Sequence, residues 1–129
     1  CIRDSLEPHI NYTNPILALL ENGVLIKGIA HITGGGLLEN VPRILPENCN
    51  AVINGGSWPI LRIFDVMQKI GDISQSEMYR AFNMGIGMVI VVDPIEAIKL
   101  KKIIKDHSPI FEIGLVTEGN KRIVLKQTQ

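Results

Sequence analysis

A layered α/β (α+β) domain with a mixed sheet is the fold this sequence predicts. Three observations carry it. Segments with helical apolar spacing alternate with short apolar runs of strand length. One run, Met88-Val89-Ile90-Val91-Val92, is apolar at consecutive positions, the pattern of a strand covered on both faces. The chain closes on two strand-like segments, Phe111 to Thr117 and Arg122 to Lys126. The turn-forming Glu118-Gly119-Asn120-Lys121 between them reads as a hairpin.

The remaining elements follow from local signals. Pro15 to Leu20 reads as a helix with Asn14 as cap, Pro15 at the first helical position and Gly23 as stop. A short strand is expected at about 25–30. Leu37 to Leu45 has helical character, with Pro42 inside it and Asn40 able to cap a restart. Ala51-Val52-Ile53 is strand-like, and Asn54-Gly55-Gly56-Ser57 is turn chemistry. From Pro59 to Ile70 the apolar residues fall at 60, 61, 63, 64, 67 and 70, a helical stripe that Gly71 should end. Ser74-Gln75-Ser76-Glu77 is a capping box for a helix reaching about Phe82. Asp93-Pro94-Ile95-Glu96 opens another that runs to about Asp106.

Bulk properties narrow the function. The 129 residues fit one domain, 1–129, and 46 % hydrophobic content supports a real core. Thirteen basic residues balance thirteen acidic ones, so nothing predicts bulk attraction to nucleic acid or to an anionic membrane. Cys1 and Cys49 have neither metal-ligand spacing nor a CxxC pattern, as expected for a reduced cytoplasmic protein. No apolar run approaches the roughly 18 residues of a membrane span. The chain starts at Cys1 rather than Met and in mid-pattern, so it is expected to be the C-terminal part of something longer.

The segment that points to chemistry is His31-Ile32-Thr33-Gly34-Gly35-Gly36, between a predicted strand and a predicted helix. Three consecutive glycines let the backbone approach a ligand and aim several N–H groups at one anion. The histidine adds a titratable group and the threonine a hydroxyl. A phosphate or nucleotide is the implied ligand. The run is not a Walker A loop, lacking Gly-Lys-Ser/Thr, and the contiguous glycines are not a Rossmann fingerprint.

Two longer blocks carry a family resemblance. Gly28 to Pro46, containing the glycine run and Leu37-Leu38-Glu39-Asn40-Val41-Pro42-Arg43-Ile44-Leu45, closely resembles the C-terminal domain of the phosphoribosylformylglycinamidine cyclo-ligases, also called aminoimidazole ribonucleotide synthetases. Glu77-Met78-Tyr79-Arg80-Ala81-Phe82-Asn83-Met84-Gly85-Ile86-Gly87-Met88 is a second match in the right order. Trp58 and Ile113-Gly114 also look similar, and the resemblance covers residues 6 to 125. One departure lies near the start. The family often has Pro-Thr-Arg, an aliphatic residue and Tyr, whereas this chain has Pro8-His9-Ile10-Asn11-Tyr12, without the arginine.

The resemblance implies a three-layer α/β/α domain, partly ferredoxin-like, packed against an N-terminal domain that carries most of the ATP site. It implies ATP-dependent closure of formylglycinamidine ribonucleotide to aminoimidazole ribonucleotide in purine biosynthesis. The formyl oxygen is phosphorylated, the amidine nitrogen attacks that carbon, and phosphate leaves. Mg²⁺ accompanies ATP mainly through the other domain, and the family suggests a homodimer. Sister enzymes with the same plan are alternatives: formylglycinamidine ribonucleotide synthetase, selenophosphate synthetase, thiamine-phosphate kinase and a hydrogenase maturation protein. So is a non-catalytic binding domain of this fold.

The candidate site residues follow. His31 is the expected catalytic residue, as a phosphate ligand or a proton-transfer group. Thr33, Gly34, Gly35 and Gly36 are expected to cradle the ribose phosphate or a phosphate of ATP, or else to form only a tight turn. Asn40 is either a ligand contact or a helix cap. Arg43 is either a phosphate clamp or a solvated charge. Asn83 and Gly85, with Gly87, form a second small-residue turn that either meets the ligand or serves as a helix end and bulge. Lys99, Lys101, Lys102 and Lys105 read as a solvated face. Asp65, Asp72 and Asp93 lack metal-ligand spacing, so no metal ligand is expected in this chain.

Overall fold

The computed structural model describes residues 8–127. Among the described residues six helices and five strands follow in order: α1 (Thr13–Glu21), β1 (Ile26–His31), α2 (Gly36–Asn40), a 3-10 helix (Val41–Ile44), β2 (Cys49–Gly55), α3 (Arg62–Gly71), α4 (Gln75–Ala81), β3 (Met88–Val92), α5 (Pro94–Ile104), β4 (Gly114–Glu118) and β5 (Ile123–Gln127). The class is mixed α/β, as the sequence predicts. The strands form two sheets, an antiparallel β1–β3 pair and a mixed sheet in the order β4-β2-β5.

The β1–β3 pair is a layer with helices on both sides. Val89 and Ala30 belong to the larger core, with Leu37, Val41, Trp58, Met78 and Tyr79. Ile90 and Val92 pack with Leu19, Val24, Leu100 and Ile104, from α1, α5 and the residues after α1. Neighbouring β3 side chains point to opposite faces, so an all-apolar strand serves two cores at once. In β1 a bulge between Ile26 and Gly28 shifts the register. It lets Ile26 join the α1–α5 core while Gly28 faces Ile44, whose Cδ1 lies 3.1 Å from where a Gly28 Cβ would stand.

The terminal strands are not a hairpin. β4 runs antiparallel to β2 on one side and β5 runs parallel to β2 on the other. Residues 119–122 therefore cross the start of β2. Gly119 N–H donates to Asn48 O, and Lys121 N–H donates to Cys49 O. The Asn50 Oδ1 accepts from the N–H groups of both Asn120 and Arg122 at 2.9 Å. Turn-forming composition is needed for either arrangement; β2 takes the middle because Ala51 and Ile53 must be buried.

Several helix boundaries move for local reasons. Asn14 does not cap α1: Tyr12 is at the cap position, and Asn11 Oδ1 accepts from Thr13 N–H at 3.0 Å. Gly23 does end α1, at φ +63°, with Gly23 N–H donating to Leu20 O and Val24 N–H to Leu19 O, the paired bonds of a Schellman motif. The predicted 37–45 helix divides into α2 and the 3-10 helix, and Asn40 makes no capping bond. α3 starts at Arg62, because the buried Trp58 is tied to Met84 O through its indole N–H (2.9 Å) and holds the lead-in extended. Asp72, not Gly71, takes the left-handed position after α3. Ser74 does cap α4, accepting from Glu77 N–H. Asp93 makes no side-chain cap bond; it pairs with Lys27 at 3.1 Å. α5 ends at Ile104, and β4 begins at Gly114 rather than Phe111. Among the described residues no helix is long and apolar enough to cross a membrane.

Candidate functional site

Because β1 and β3 are antiparallel, with His31 opposite Met88, the end of β1 and the start of β3 share one end of the sheet. The loops 32–36 and 83–87 therefore lie side by side, joined by Ile32 N–H donating to Gly87 O at 2.9 Å. Two glycine-bearing segments separated by some fifty residues are brought together by this single register.

The first loop is shaped from beneath by Asn40, which is only 5 % exposed. Its side-chain amide donates to Gly36 O (2.8 Å), Gly34 O (3.2 Å) and Thr33 O (3.4 Å). In a trans peptide the C=O and the following N–H point in opposite directions. Drawing the carbonyls of Thr33 and Gly34 inward thus turns the N–H groups of Gly34 and Gly35 outward. Gly36 N–H closes the turn on Thr33 O. Gly36 must be glycine: at φ +55° its Cβ would stand 2.1 Å from Tyr79 O and 2.6 Å from Phe82 O. Gly34 has no such reason, since nothing lies within 4 Å of its Cβ position. Glu39 leans over Gly35 and pairs with Arg80 of α4 at 2.8 Å.

The second loop is a turn in which Asn83 Oδ1 accepts from Gly85 N–H and Asn83 O accepts from Ile86 N–H, both at 3.0 Å. Met84 and Gly85 both have positive φ, and the Trp58 indole N–H fixes the loop through Met84 O.

His31 stands on the α1 side of the sheet. Its Nε2 is 2.8 Å from Nε2 of His9. Tyr12 meets the His9 ring edge-on, with centroids 5.5 Å apart. Burial pushes the Tyr12 phenol up from its ordinary value, and a backbone hydrogen bond from Gly87 partly offsets that rise. Gly87 is glycine because a Cβ there would stand 2.2 Å from the Tyr12 oxygen and 2.9 Å from His9 Cε1. Together with Ile16, Ile29 and Met88, these rings line a cleft of ≈ 480 Å³. A larger open cleft of ≈ 1310 Å³, lined largely by β3 and by residues 108–116, takes in Asn83, Gly85 and Gly87. His9 and Tyr12 border both.

Comparison with known proteins covers both loops within a match that spans most of the chain. Residues 4–126 match the family described as AIR synthase related protein, C-terminal domain. The chain belongs to this family. Among curated relatives, a phosphoribosylformylglycinamidine cyclo-ligase of Bifidobacterium longum is 44 % identical over 124 residues, 94 % of this chain and 36 % of that protein. One from Thermoanaerobacter sp. is 47 % identical over 121 residues, 93 % of this chain and 35 % of that protein. One from Brevibacillus brevis is 44 % identical over 120 residues, 92 % and 34 % respectively. The chain spans about a third of the length of these relatives.

Of the residues singled out from the sequence, His31, Thr33, Gly34, Gly35, Gly36, Asn83 and Gly85 gather at this end of the sheet. Asn40 lies beneath the loop, with its amide nitrogen engaged by backbone. Arg43 is exposed on the 3-10 helix and lines neither cleft. His9, Tyr12 and Trp58 are site neighbours that sequence reasoning did not mark. The signal for the first two was the Pro8–Tyr12 departure, which puts a second imidazole where the family pattern is different. Lys99 donates to Gly23 O and Lys101 pairs with Glu112, whose carboxyl is held below its ordinary range by that partner. Among the described residues no three His, Cys, Asp or Glu side chains cluster as a metal site would require.

Proposed function

We propose that this chain is the C-terminal domain, as a single unit, of a two-domain ATP-dependent cyclo-ligase. The whole protein would close formylglycinamidine ribonucleotide to aminoimidazole ribonucleotide. The observation that supports this reading best is the convergence of His31 with the two glycine loops at one end of β1–β3. Outward N–H groups on Gly34, with open space over it, and on Gly35, beside a Glu39 carboxylate that Arg80 pairs, suit a phosphate of the substrate or of ATP. His31 beside them suits a donor to that anion or a proton carrier. The names of the relatives favour the cyclo-ligase over its sister enzymes.

In this reading the protein works by positioning and charge stabilisation: ATP turns the formyl oxygen into a leaving group, and the amidine nitrogen closes the ring. ATP and Mg²⁺ are held mainly by the N-terminal domain. Among the described residues no carboxylates cluster as a magnesium site would require, and no step is assigned to a metal here. The parent is read as a cytoplasmic homodimer, and the 129-residue chain alone as inactive.

ATP-dependent formation of aminoimidazole ribonucleotide by the intact protein, measured beside its His31→Ala variant, tests the reading. Activity that collapses in the variant is expected. Equal activity in both would reduce His31 to a structural residue, and an inactive parent would overturn the reaction. Turnover by this chain alone would refute the two-domain requirement.

A further inference from the structure

The short contact between His9 and His31 constrains what His31 can do. Each neutral imidazole carries one N–H and one bare nitrogen. With the two Nε2 atoms 2.8 Å apart, one must donate and the other accept. His31 Nε2 is thereby occupied, and the only ring nitrogen left for a ligand is Nδ1.

The contact is built into the fold. The His9 ring is packed by Tyr12 at the start of α1 and by the missing side chain of Gly87. The two imidazoles stand 5.0 Å apart between centroids. Among the described residues, His9, Tyr12 and His31 are the titratable side chains that line the smaller cleft, and no carboxylate there competes for the rings.

We propose that His9 is a positioning residue for His31. It donates its Nε2–H to His31 Nε2 and so holds His31 as the Nδ1–H tautomer, the minor form of a free imidazole. His31 then presents an Nδ1–H donor to an anionic group of the substrate, most simply a phosphate at the adjoining loop. This rests on His31 belonging to the proposed site, but the tautomer is measurable without turnover. A lone histidine at the end of a strand would be free to rotate and to exchange tautomers; the second ring removes both freedoms before the ligand arrives.

Two substitutions separate the role from simple packing. His9→Phe keeps a ring against Tyr12 and loses the hydrogen bond. His9→Gln places an amide N–H near the former Nε2 and keeps the donor. In the intact protein labelled with ¹⁵N-histidine, long-range ¹H–¹⁵N spectra read the tautomer of His31, with its signals assigned through a His31→Gln variant. The expected result is a fixed Nδ1–H tautomer in the wild type and in His9→Gln, with reversion to a mixture dominated by Nε2–H in His9→Phe. In turnover, His9→Phe should lower kcat by up to about a hundredfold, the scale at which an ångström of misplacement is felt, with KM little changed and His9→Gln restoring it. A His31 tautomer that is the same in wild type and His9→Phe, or is Nε2–H in the wild type, overturns the proposal. A fixed tautomer lost in His9→Phe, beside full activity in His31→Ala, leaves the positioning intact and refutes the function assigned to His31 instead.

Discussion

Replacing Asn40 probes the part that shapes the glycine loop from within. Asn40→Ala removes the donor from three carbonyls. The bond to Gly36 O, 2.8 Å long and buried, is the costly one. Gly36 O keeps the helical bond from the N–H of residue 40, so losing the side-chain bond costs about 0.5–1.5 kcal/mol. The bonds to Gly34 O and Thr33 O are longer and partly open to water, and each adds only a few tenths. The expected loss is about 1–2 kcal/mol, or roughly 4–7 °C in Tm for a domain of this length. Asn40→Asp is the sharper test, because it keeps the shape and reverses the chemistry. Above its pKa it sets a carboxylate against three carbonyl oxygens with no proton to donate, so it should be less stable than the alanine variant at pH 7.5. Burial raises the folded-state pKa of such a carboxyl above its unfolded value. The deficit is therefore greatest above the folded pKa and shrinks as pH falls through it, when the acid can donate. Urea denaturation of wild type and both variants at pH 7.5 and 5 measures this. An Asn40→Asp protein as stable as wild type at pH 7.5, or a deficit unchanged at pH 5, would refute the reasoning.

The glycine loop separates fold from ligand in a second way. Gly36→Ala drives a Cβ into the backbone of α4 and should destabilise the protein by about 2 kcal/mol or more, whereas Gly34→Ala should leave thermal stability within about 0.5 kcal/mol yet weaken turnover in the intact protein; a Gly34→Ala enzyme with wild-type KM and kcat would show that the open space over Gly34 is not used. Alkaline stability should also fall. Burial raises the phenols of Tyr12 and Tyr79 above their ordinary value, so their contribution is complete below the unfolded pKa of about 10 and is lost as pH rises through the folded values. Tyr79→Phe should flatten thermal stability measured between pH 9 and 11, and an unchanged slope would count against the buried phenol as the cause.

Short-range signals in the sequence determined most of the elements and the glycine loop. Gly23 supplies the left-handed residue after α1, Ser74 caps α4, and the apolar period marks Met88–Val92, because these depend on the residue itself or on neighbours within one turn. The loop at Thr33–Gly36 and the turn at Asn83–Gly85 were equally legible, since glycine and asparagine there answer local backbone needs. Only the tertiary structure decided partnerships. Glu118–Lys121 is compatible with a hairpin, yet the chain crosses β2, since burial of Ala51 and Ile53 and the Asn50 side chain outweigh a local turn. Asn40 reads in the sequence as either a cap or a ligand contact, and in the fold it braces the loop above it, because its partners are set by how α2 packs. His9 looked like a departure from a pattern until β1 and β3 brought its ring against His31. A hydrogen bond between residues 22 positions apart leaves no periodic trace in a sequence. It exists only once two strands, a helix and a glycine without a side chain have placed the two rings together.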